Sequence, residues 1–126
     1  MKRSIVETKK APPPVGPYSQ AIQAGNMVFV SGQIALHPET NEIPKDFTAQ
    51  CHQVLKNLKA ILEASGSSLE HTVKVMIYMT DIDRFNELNE IYAGYLGSAK
   101  PARACVEVSR LPKGVLVEID AVALIG

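Results

Sequence analysis

The sequence predicts an α+β fold in which a single β-sheet carries two helices on one face. Two segments repeat apolar residues at helical spacing, and six shorter segments have the alternation or the short apolar runs of strands. The elements follow the order β-β-β-α-β-α-β-β, which favours helices packed together on one side of a sheet. A chain of 126 residues is most simply one domain, here spanning residues 1–126.

The first three predicted strands are short and surround a proline-rich loop. Residues 4–7 are a candidate edge strand. The segment 11–17 must be a loop that delivers Tyr18, because proline lacks the amide hydrogen that helices and central strands use. A Gly-Asn turn signal separates the apolar runs 20–24 and 27–31 and predicts a hairpin.

The first helix is predicted over residues 46–65. Its apolar residues form one stripe, while lysine and other polar residues occupy the opposite side. Asp46 is the expected N-cap and Gly66 the expected C-terminal stop. The stripe consists of Phe47, Cys51, Val54, Leu55, Leu58, Ile61 and Leu62.

The second helix is predicted over residues 84–96. Asp81 and Asp83 are candidate caps at its start, because a short carboxylate can accept the free amide hydrogens of a first turn. Gly97 is expected to end the helix. Its apolar stripe consists of Phe85, Leu88, Ile91, Tyr92 and Tyr95.

Three strands complete the predicted sheet, at 72–80, 102–109 and 115–125. In the last strand every odd-numbered position is apolar and is expected to face the helices. The even-numbered positions mix Glu118 and Asp120 with large aliphatic residues. Strand 72–80 also has a mixed second face, formed by its even-numbered positions from Thr72 to Thr80. A face too apolar for open water and too polar for a core predicts that another subunit covers it.

The composition makes several classes of protein less favoured. The chain has 13 basic and 13 acidic residues and a formal net charge of zero, whereas proteins that bind nucleic acid usually have a basic excess. No segment approaches the roughly 18 apolar residues of a membrane span, and the first ten residues contain no apolar stretch long enough for a signal peptide. Cys51 and Cys105 form no C-x-x-C pair, so two reduced thiols in a cytoplasmic protein are expected. The mitochondrial matrix is the alternative compartment.

Three residues in the last two strands are candidates for chemistry. Arg103 begins a strand, where its guanidinium could clamp a carboxylate or form a rim salt bridge with Glu107 or Glu118. Glu118 could act as a base whose pKa is raised by partial burial, or it could be a satisfied interface carboxylate. Cys105 has no histidine near it in the sequence, so a packed thiol is favoured over a nucleophile.

The sequence contains no pattern for a metal or a nucleotide cofactor. Histidine and cysteine pairs at ligand spacing are absent, as is the zinc-deaminase pattern H-x-E with P-C-x-x-C. Neither G-x-G-x-x-G nor a Walker loop occurs. The sequence therefore predicts no cofactor and no metal, and any deaminase chemistry has to proceed without zinc.

Five motifs occur in a characteristic order: GPYSQ at 16–20, VSGQI at 30–34, PARACVEV at 101–108, LP at 111–112 and EIDA at 118–121. In order and spacing, over nearly the whole chain, they resemble the RidA-type imine deaminases, the Rid or YjgF-like family. The resemblance implies a chorismate-mutase-like fold, assembled as a homotrimer with a central β-barrel and with sites in clefts between subunits. It also implies hydrolysis of 2-aminoacrylate and 2-aminocrotonate, small enamine and imine acids, to 2-oxo acids and ammonia.

The resemblance implies a role for each residue that matches a motif. Arg103 would clamp the substrate carboxylate, and Glu118 would orient or activate the attacking water. Tyr18 would contribute its phenol to the water or to the imine nitrogen. Ser31 would form a hydrogen bond near the reacting group, and Gly32 would allow a close approach of the backbone.

Three further substrate contacts are implied at Ala104, at Cys105 through its backbone, and at Asn89 in the second helix. Lys100 departs from the family, many members of which have an aromatic residue there. This lysine either steers anionic substrates or is a solvated turn charge. The alternative function is a ligand-binding or regulatory protein of the same fold, such as a translation inhibitor with ribonuclease activity or a chaperone-like protein.

Overall fold

The computed structural model describes residues 2–126 and contains one six-stranded sheet with two α-helices. The strands are β1 (Arg3–Val6), β2 (Ala21–Ala24), β3 (Met27–Gln33), β4 (Thr72–Met79), β5 (Ala102–Glu107) and β6 (Val117–Leu124). The helices are α1 (Phe47–Ala64) and α2 (Phe85–Leu96). The strand order is β1-β2-β3-β6-β4-β5, and this architecture confirms the predicted α+β fold.

The connectivity of the sheet determines where the candidate residues lie. All neighbouring strands are antiparallel except β4 and β5, which are parallel. A parallel pair needs a crossover connection, and α2 provides it. Glu118 therefore lies on a strand inside the sheet, between β3 and β4, whereas Arg103 lies on the edge strand β5.

The predicted alternation of the last strand is confirmed. Val117, Ile119, Ala121 and Ala123 are at most 2% exposed. They belong to one apolar cluster with the stripe of α1, which is also buried. The even-numbered residues of β6 from 118 to 122 are only half-buried, so the face of the sheet opposite the helices remains open.

The open face carries a row of apolar side chains. Ile5, Ile22, Phe29 and Val122 are register neighbours across four adjacent strands. Ile5 is 59% exposed and Phe29 is 46% exposed. A contiguous apolar row of this kind is typical of a surface that contacts another molecule.

The ends of α1 agree with the sequence. The Asp46 carboxylate accepts a hydrogen bond of 3.0 Å from the amide of Ala49, as expected of an N-cap. Gly66 follows the helix with φ of +80°, a left-handed conformation that glycine adopts without strain. Within residues 2–126, neither helix is long and apolar enough to cross a membrane.

The start of α2 differs from the prediction. A short 3-10 turn, Ile82–Arg84, precedes the helix, and the Asp81 carboxylate caps this turn by accepting a hydrogen bond of 3.0 Å from the amide of Asp83. The prediction of Asp83 as a cap was wrong, because Arg84 occupies the N-cap position and makes no side-chain capping bond. Gly97 ends the helix as expected, donating its amide hydrogen to Ala93.

Two predictions about the strands also need correction. The last strand begins at Val117 rather than at residue 115, because a 3-10 turn, Pro112–Gly114, delays its pairing. Thr72 was expected on the mixed face but is only 4% exposed. The register shifts between Thr72 and Lys74, and the extra residue of this bulge turns Thr72 toward the core.

Candidate functional site

The proline-rich loop is held in place by one buried glutamine, and it presents Tyr18. Gln20 is 3% exposed. Its amide nitrogen donates to the carbonyls of Thr8, Ala11 and Pro12 at 2.8 to 3.2 Å, and its oxygen accepts from the amide of Thr8 at 2.7 Å. Four hydrogen bonds from one side chain fix the loop, so the half-exposed Tyr18 ring has a defined position.

Ser31 and Gly32 lie at an irregularity in β3. The pairing with β6 shifts between Val30 and Gln33, which gives β3 one extra residue at this point. Such a bulge bends the strand and redirects its side chains. The Ser31 hydroxyl donates to the carbonyl of Ser19 at 2.5 Å, which ties the bulge to the residue that follows Tyr18.

The bulge brings the backbone of Gly32 against the side chain of Glu118. A Cβ atom at position 32 would overlap the carboxylate oxygen Oε2 of Glu118 and would lie 2.9 Å from its Cδ. With the carboxylate in this position, only glycine leaves room for it at residue 32.

Burial is the main influence on the Glu118 carboxyl group. Removal from water raises its pKa above the ordinary value, and the neighbouring negative charge of Asp120 raises the pKa further. Asp120 accepts a hydrogen bond of 3.0 Å from the Tyr78 hydroxyl. A carboxyl group with a raised pKa is a stronger base than an ordinary glutamate, which suits proton transfer near neutral pH.

Together these residues line a cleft of about 420 Å³, which we call the Glu118 cleft. It is open to solvent and of a size that suits a small molecule. Of the predicted site residues, the structure brings Tyr18, Ser31, Gly32 and Glu118 together here. The remaining lining residues are Val15, Ile34, Pro112 and Lys113.

We expect Gly32→Ala to lower activity by at least about tenfold, because the added methyl group displaces the Glu118 carboxylate and small displacements of a catalytic group are costly. The clash is with a flexible side chain, so the fold should persist. Steady-state kinetics and thermal unfolding measure the two effects separately.

Gly94→Ala is the matched control. A Cβ there meets nothing within 4 Å, and alanine favours a helix by about 1 kcal/mol over glycine. Equal activity of Gly32→Ala and wild type would contradict the inference that the position of the Glu118 carboxylate matters for activity.

Arg103 is held on the other side of the sheet by residues of α2. Its Nη1 donates a hydrogen bond of 2.8 Å to Oδ1 of Asn89. The guanidinium carbon lies 4.7 Å from the ring centroid of Tyr92 and 5.3 Å from that of Phe85, within the range of cation–π attraction. We call these four residues the arginine cluster. The salt bridges to Glu107 or Glu118 that the sequence left open do not form; within residues 2–126 the one ion pair is Arg84–Glu87.

The neighbours of Arg103 on β5 face in different directions. Cys105 pairs with buried Ile77, on the helix side, whereas Ala104 pairs with Met76, on the open face. The Cys105 thiol lies 3.4 Å from the sulfur of Met79. Burial raises the pKa of this thiol, and the nearby Arg103 opposes the rise only in part. A protonated thiol is a poor nucleophile.

The arginine cluster and the Glu118 cleft lie on opposite faces of the sheet. Arg103 is paired with Val75, which is fully buried on the helix side. Glu118 is paired with Tyr78, three residues further along β4 and therefore on the opposite face. One chain thus presents two separate groups of candidate residues, and it does not bring its own Arg103 to its own Glu118.

Sequence reasoning missed two residues, one that holds the proline-rich loop and one that lines the Glu118 cleft. Gln20 belongs to the GPYSQ motif, but no role was predicted for it. The available signal was a side-chain amide next to a proline-rich loop, because such loops leave backbone carbonyls without hydrogen-bond partners. Lys113 lines the cleft and has φ of +58°, a conformation uncommon for residues other than glycine. No signal in the sequence indicated it. Among residues 2–126, no three potential ligand side chains cluster closely enough to hold a metal ion.

Similarity to known proteins extends over almost the entire chain. Residues 8–125 match the family model described as Endoribonuclease L-PSP. The chain is 55% identical over 122 residues to a RutC family protein of Pyrococcus horikoshii, covering 96% of this chain and 97% of that protein. It resembles the crystal structure of E. coli TdcF with bound serine (42% identity, TM-score 0.93, 98% and 99% of the two chains covered). It also resembles RidA from an Antarctic Psychrobacter (47% identity, TM-score 0.94, 97% and 99% covered).

Proposed function

The chain belongs to the endoribonuclease L-PSP family, the family of RidA and other YjgF-like proteins, and from this premise we propose that it is a hydrolytic deaminase of small 2-imino and 2-enamino acids. Its substrates are 2-aminoacrylate and 2-aminocrotonate, which pyridoxal-phosphate dehydratases release from serine and threonine. The products are pyruvate or 2-oxobutyrate and ammonia. The proposal places this reaction in the cytoplasm.

The observation that carries this proposal is the state of Arg103. Its guanidinium is half-buried, oriented by an amide and two aromatic rings, and paired with no carboxylate of residues 2–126. A guanidinium fork matches the two oxygens of a carboxylate. TdcF, whose crystal structure contains bound serine, shows that a relative binds an amino acid that carries this group.

The proposed mechanism uses side chains alone. The enamine first tautomerises to the imine, losing a proton from nitrogen and gaining one at C3. The imine carbon is electrophilic, so water adds to it while Glu118 accepts a proton from that water. The Tyr18 phenol supports the water or the imine nitrogen, and Arg103 holds the carboxylate. Glu118 passes this proton to the imine nitrogen, which gives a tetrahedral carbinolamine. The hydroxyl proton then moves to the amino group, the C–N bond breaks, and ammonia leaves as the carbonyl forms. One water is consumed, and one ammonia and one 2-oxo acid are released.

This mechanism requires Arg103 and Glu118 to act on one substrate, although they lie on opposite faces of one chain. We propose that the protein is a homotrimer and that each site forms between two copies, one supplying Glu118 and the other Arg103. The exposed apolar row of Ile5 and Phe29 supports the contact, because a second copy would remove it from water.

A coupled assay tests the proposal. A serine dehydratase generates 2-aminoacrylate, and pyruvate release is followed with and without the protein. We expect pyruvate to appear faster when the protein is present. If the protein leaves the rate unchanged, the deaminase proposal is wrong. RNA cleavage, which the description of the matching family favours, is then the function to test next.

We expect Cys105→Ala to retain at least about one third of wild-type kcat/KM, because a thiol whose pKa is raised by burial supplies little thiolate. Cys51→Ala makes the same change in the core, away from both groups of candidate residues, and serves as the matched control. The coupled assay gives the rate, and sedimentation shows whether the variants assemble. Complete inactivity of a correctly assembled Cys105→Ala protein would indicate that the Cys105 thiol takes part in catalysis.

A further inference from the structure

We propose that Asn89 is a positioning residue that keeps Arg103 oriented while leaving its positive charge available to an anionic ligand. This inference rests on the proposed function, in which Arg103 binds the substrate carboxylate. It differs from the role that the resemblance implied, since Asn89 acts through Arg103 and does not contact the substrate.

The position of Asn89 on α2 supports this role. Phe85, Asn89 and Tyr92 are spaced by four and three residues, so they lie on one face of the helix. This face meets β5 at Arg103. The hydrogen bond of 2.8 Å from Nη1 to Asn89 fixes one edge of the guanidinium group, and the two rings border it. Within residues 2–126 the bond to Asn89 is the one hydrogen bond that the guanidinium donates, so its other N–H groups stay available to a ligand.

All groups shown to hold the guanidinium are uncharged. An aspartate at position 89 would have almost the same shape and would form a charge-assisted bond with Arg103. Such a bond would neutralise the cation and compete with a carboxylate ligand. The neighbouring glutamate on β5, Glu107, is engaged elsewhere, accepting a hydrogen bond of 3.0 Å from the amide of Ile82.

Tyr92 fits the same interpretation. Its ring is 8% exposed, and its hydroxyl has no hydrogen-bond partner within residues 2–126. Burial raises the pKa of the phenol, and Arg103 opposes the rise. The hydroxyl therefore remains neutral at physiological pH and adds no negative charge beside Arg103.

The test compares Asn89→Asp, Asn89→Ala and wild type. Titration calorimetry measures binding of 2-oxobutyrate, a stable carboxylate that keeps the product's shape, and the coupled assay measures turnover. Asn89→Asp should weaken 2-oxobutyrate binding and raise KM by about tenfold or more, with a smaller effect on kcat, because the new carboxylate occupies the guanidinium. Asn89→Ala should weaken binding less, since it removes a partner without adding a charge. The loss of 2-oxobutyrate affinity in Asn89→Asp should be accompanied by no comparable loss of kcat and by no matching fall in the unfolding temperature.

Asn86→Asp is the matched control. It makes the same change on the same helix, at an exposed residue, and should leave binding and turnover unchanged. If wild type hydrolyses imines and Asn89→Asp binds 2-oxobutyrate as tightly as wild type does, the positioning role is overturned and the proposed function stands. An equal loss in Asn89→Ala and Asn89→Asp would also overturn it, since the charge would then be irrelevant. If wild type neither binds 2-oxobutyrate nor hydrolyses imines, both proposals fall.

Discussion

Replacing Arg103 with alanine is expected to lower kcat/KM for imine hydrolysis by at least about 100-fold, because two charge-assisted hydrogen bonds to the substrate carboxylate are lost. The fold should persist. Arg103 lies on the edge strand β5 and is only half-buried, and the partners that hold its guanidinium, Asn89, Phe85 and Tyr92, lie on α2. The coupled dehydratase assay gives the rate, and thermal unfolding with sedimentation verifies the fold and the assembly.

Two further variants separate shape from charge. Arg103→Lys keeps the positive charge but loses the planar fork, so it should recover only a small part of the activity. Arg110→Ala removes an exposed arginine seven residues later and should behave as wild type. Normal turnover by Arg103→Ala would mean that a residue other than Arg103 binds the substrate carboxylate.

The sequence was sufficient where the physical signal is local. Alternation along residues 115–125 predicted which side of the last strand is buried, and the apolar stripe at 46–65 predicted α1 with its Asp46 cap. The misplaced residues depend on backbone irregularities that no spacing rule encodes. The bulge before Lys74 turns Thr72 inward, and a 3-10 turn takes the place where Asp83 was expected to cap a helix.

In the candidate functional site, too, the sequence predicts the local features but not those that depend on strand pairing. The motifs indicated Arg103 and Glu118 as candidate site residues, but their relative placement depends on the pairing of β4 with both β5 and β6. That pairing joins segments far apart in the chain, so periodicity within either strand could not reveal it. The separation of the two residues onto opposite faces is therefore information that the structure adds.

Replacing Glu118 with glutamine should lower kcat by about 100- to 10,000-fold, the usual contribution of a general base. The amide fits the same space beside Gly32 but cannot accept a proton. In wild type, kcat/KM should fall as the pH drops through the raised pKa of Glu118, since the base must be deprotonated. Glu63→Gln, at an exposed position on α1, is the matched control.

The Glu118→Gln substitution should raise the stability of the folded protein while it lowers activity. Burial and then Asp120 raise the Glu118 pKa in the folded state, so the native protein binds this proton more tightly than the unfolded chain does. The contribution of Glu118 to stability is then favourable at low pH and is lost as the pH rises through the folded-state pKa. Glu118→Gln should consequently unfold at a higher temperature than wild type near neutral pH, and the difference should shrink as the pH falls. A less stable but active variant would contradict both parts of this prediction.

The two inactive variants together test whether the site is shared between copies. In an assembly of Arg103→Ala and Glu118→Gln chains, some interfaces combine the intact Arg103 of one copy with the intact Glu118 of the other. Random co-assembly of equal amounts in a cyclic trimer makes about one quarter of the sites complete. Co-expressed, differently tagged chains should therefore recover about a quarter of wild-type activity, whereas each variant alone stays inactive. A mixed assembly without activity would show that Arg103 and Glu118 do not meet across subunits, and the opposite faces on which one chain holds them would then need a different explanation.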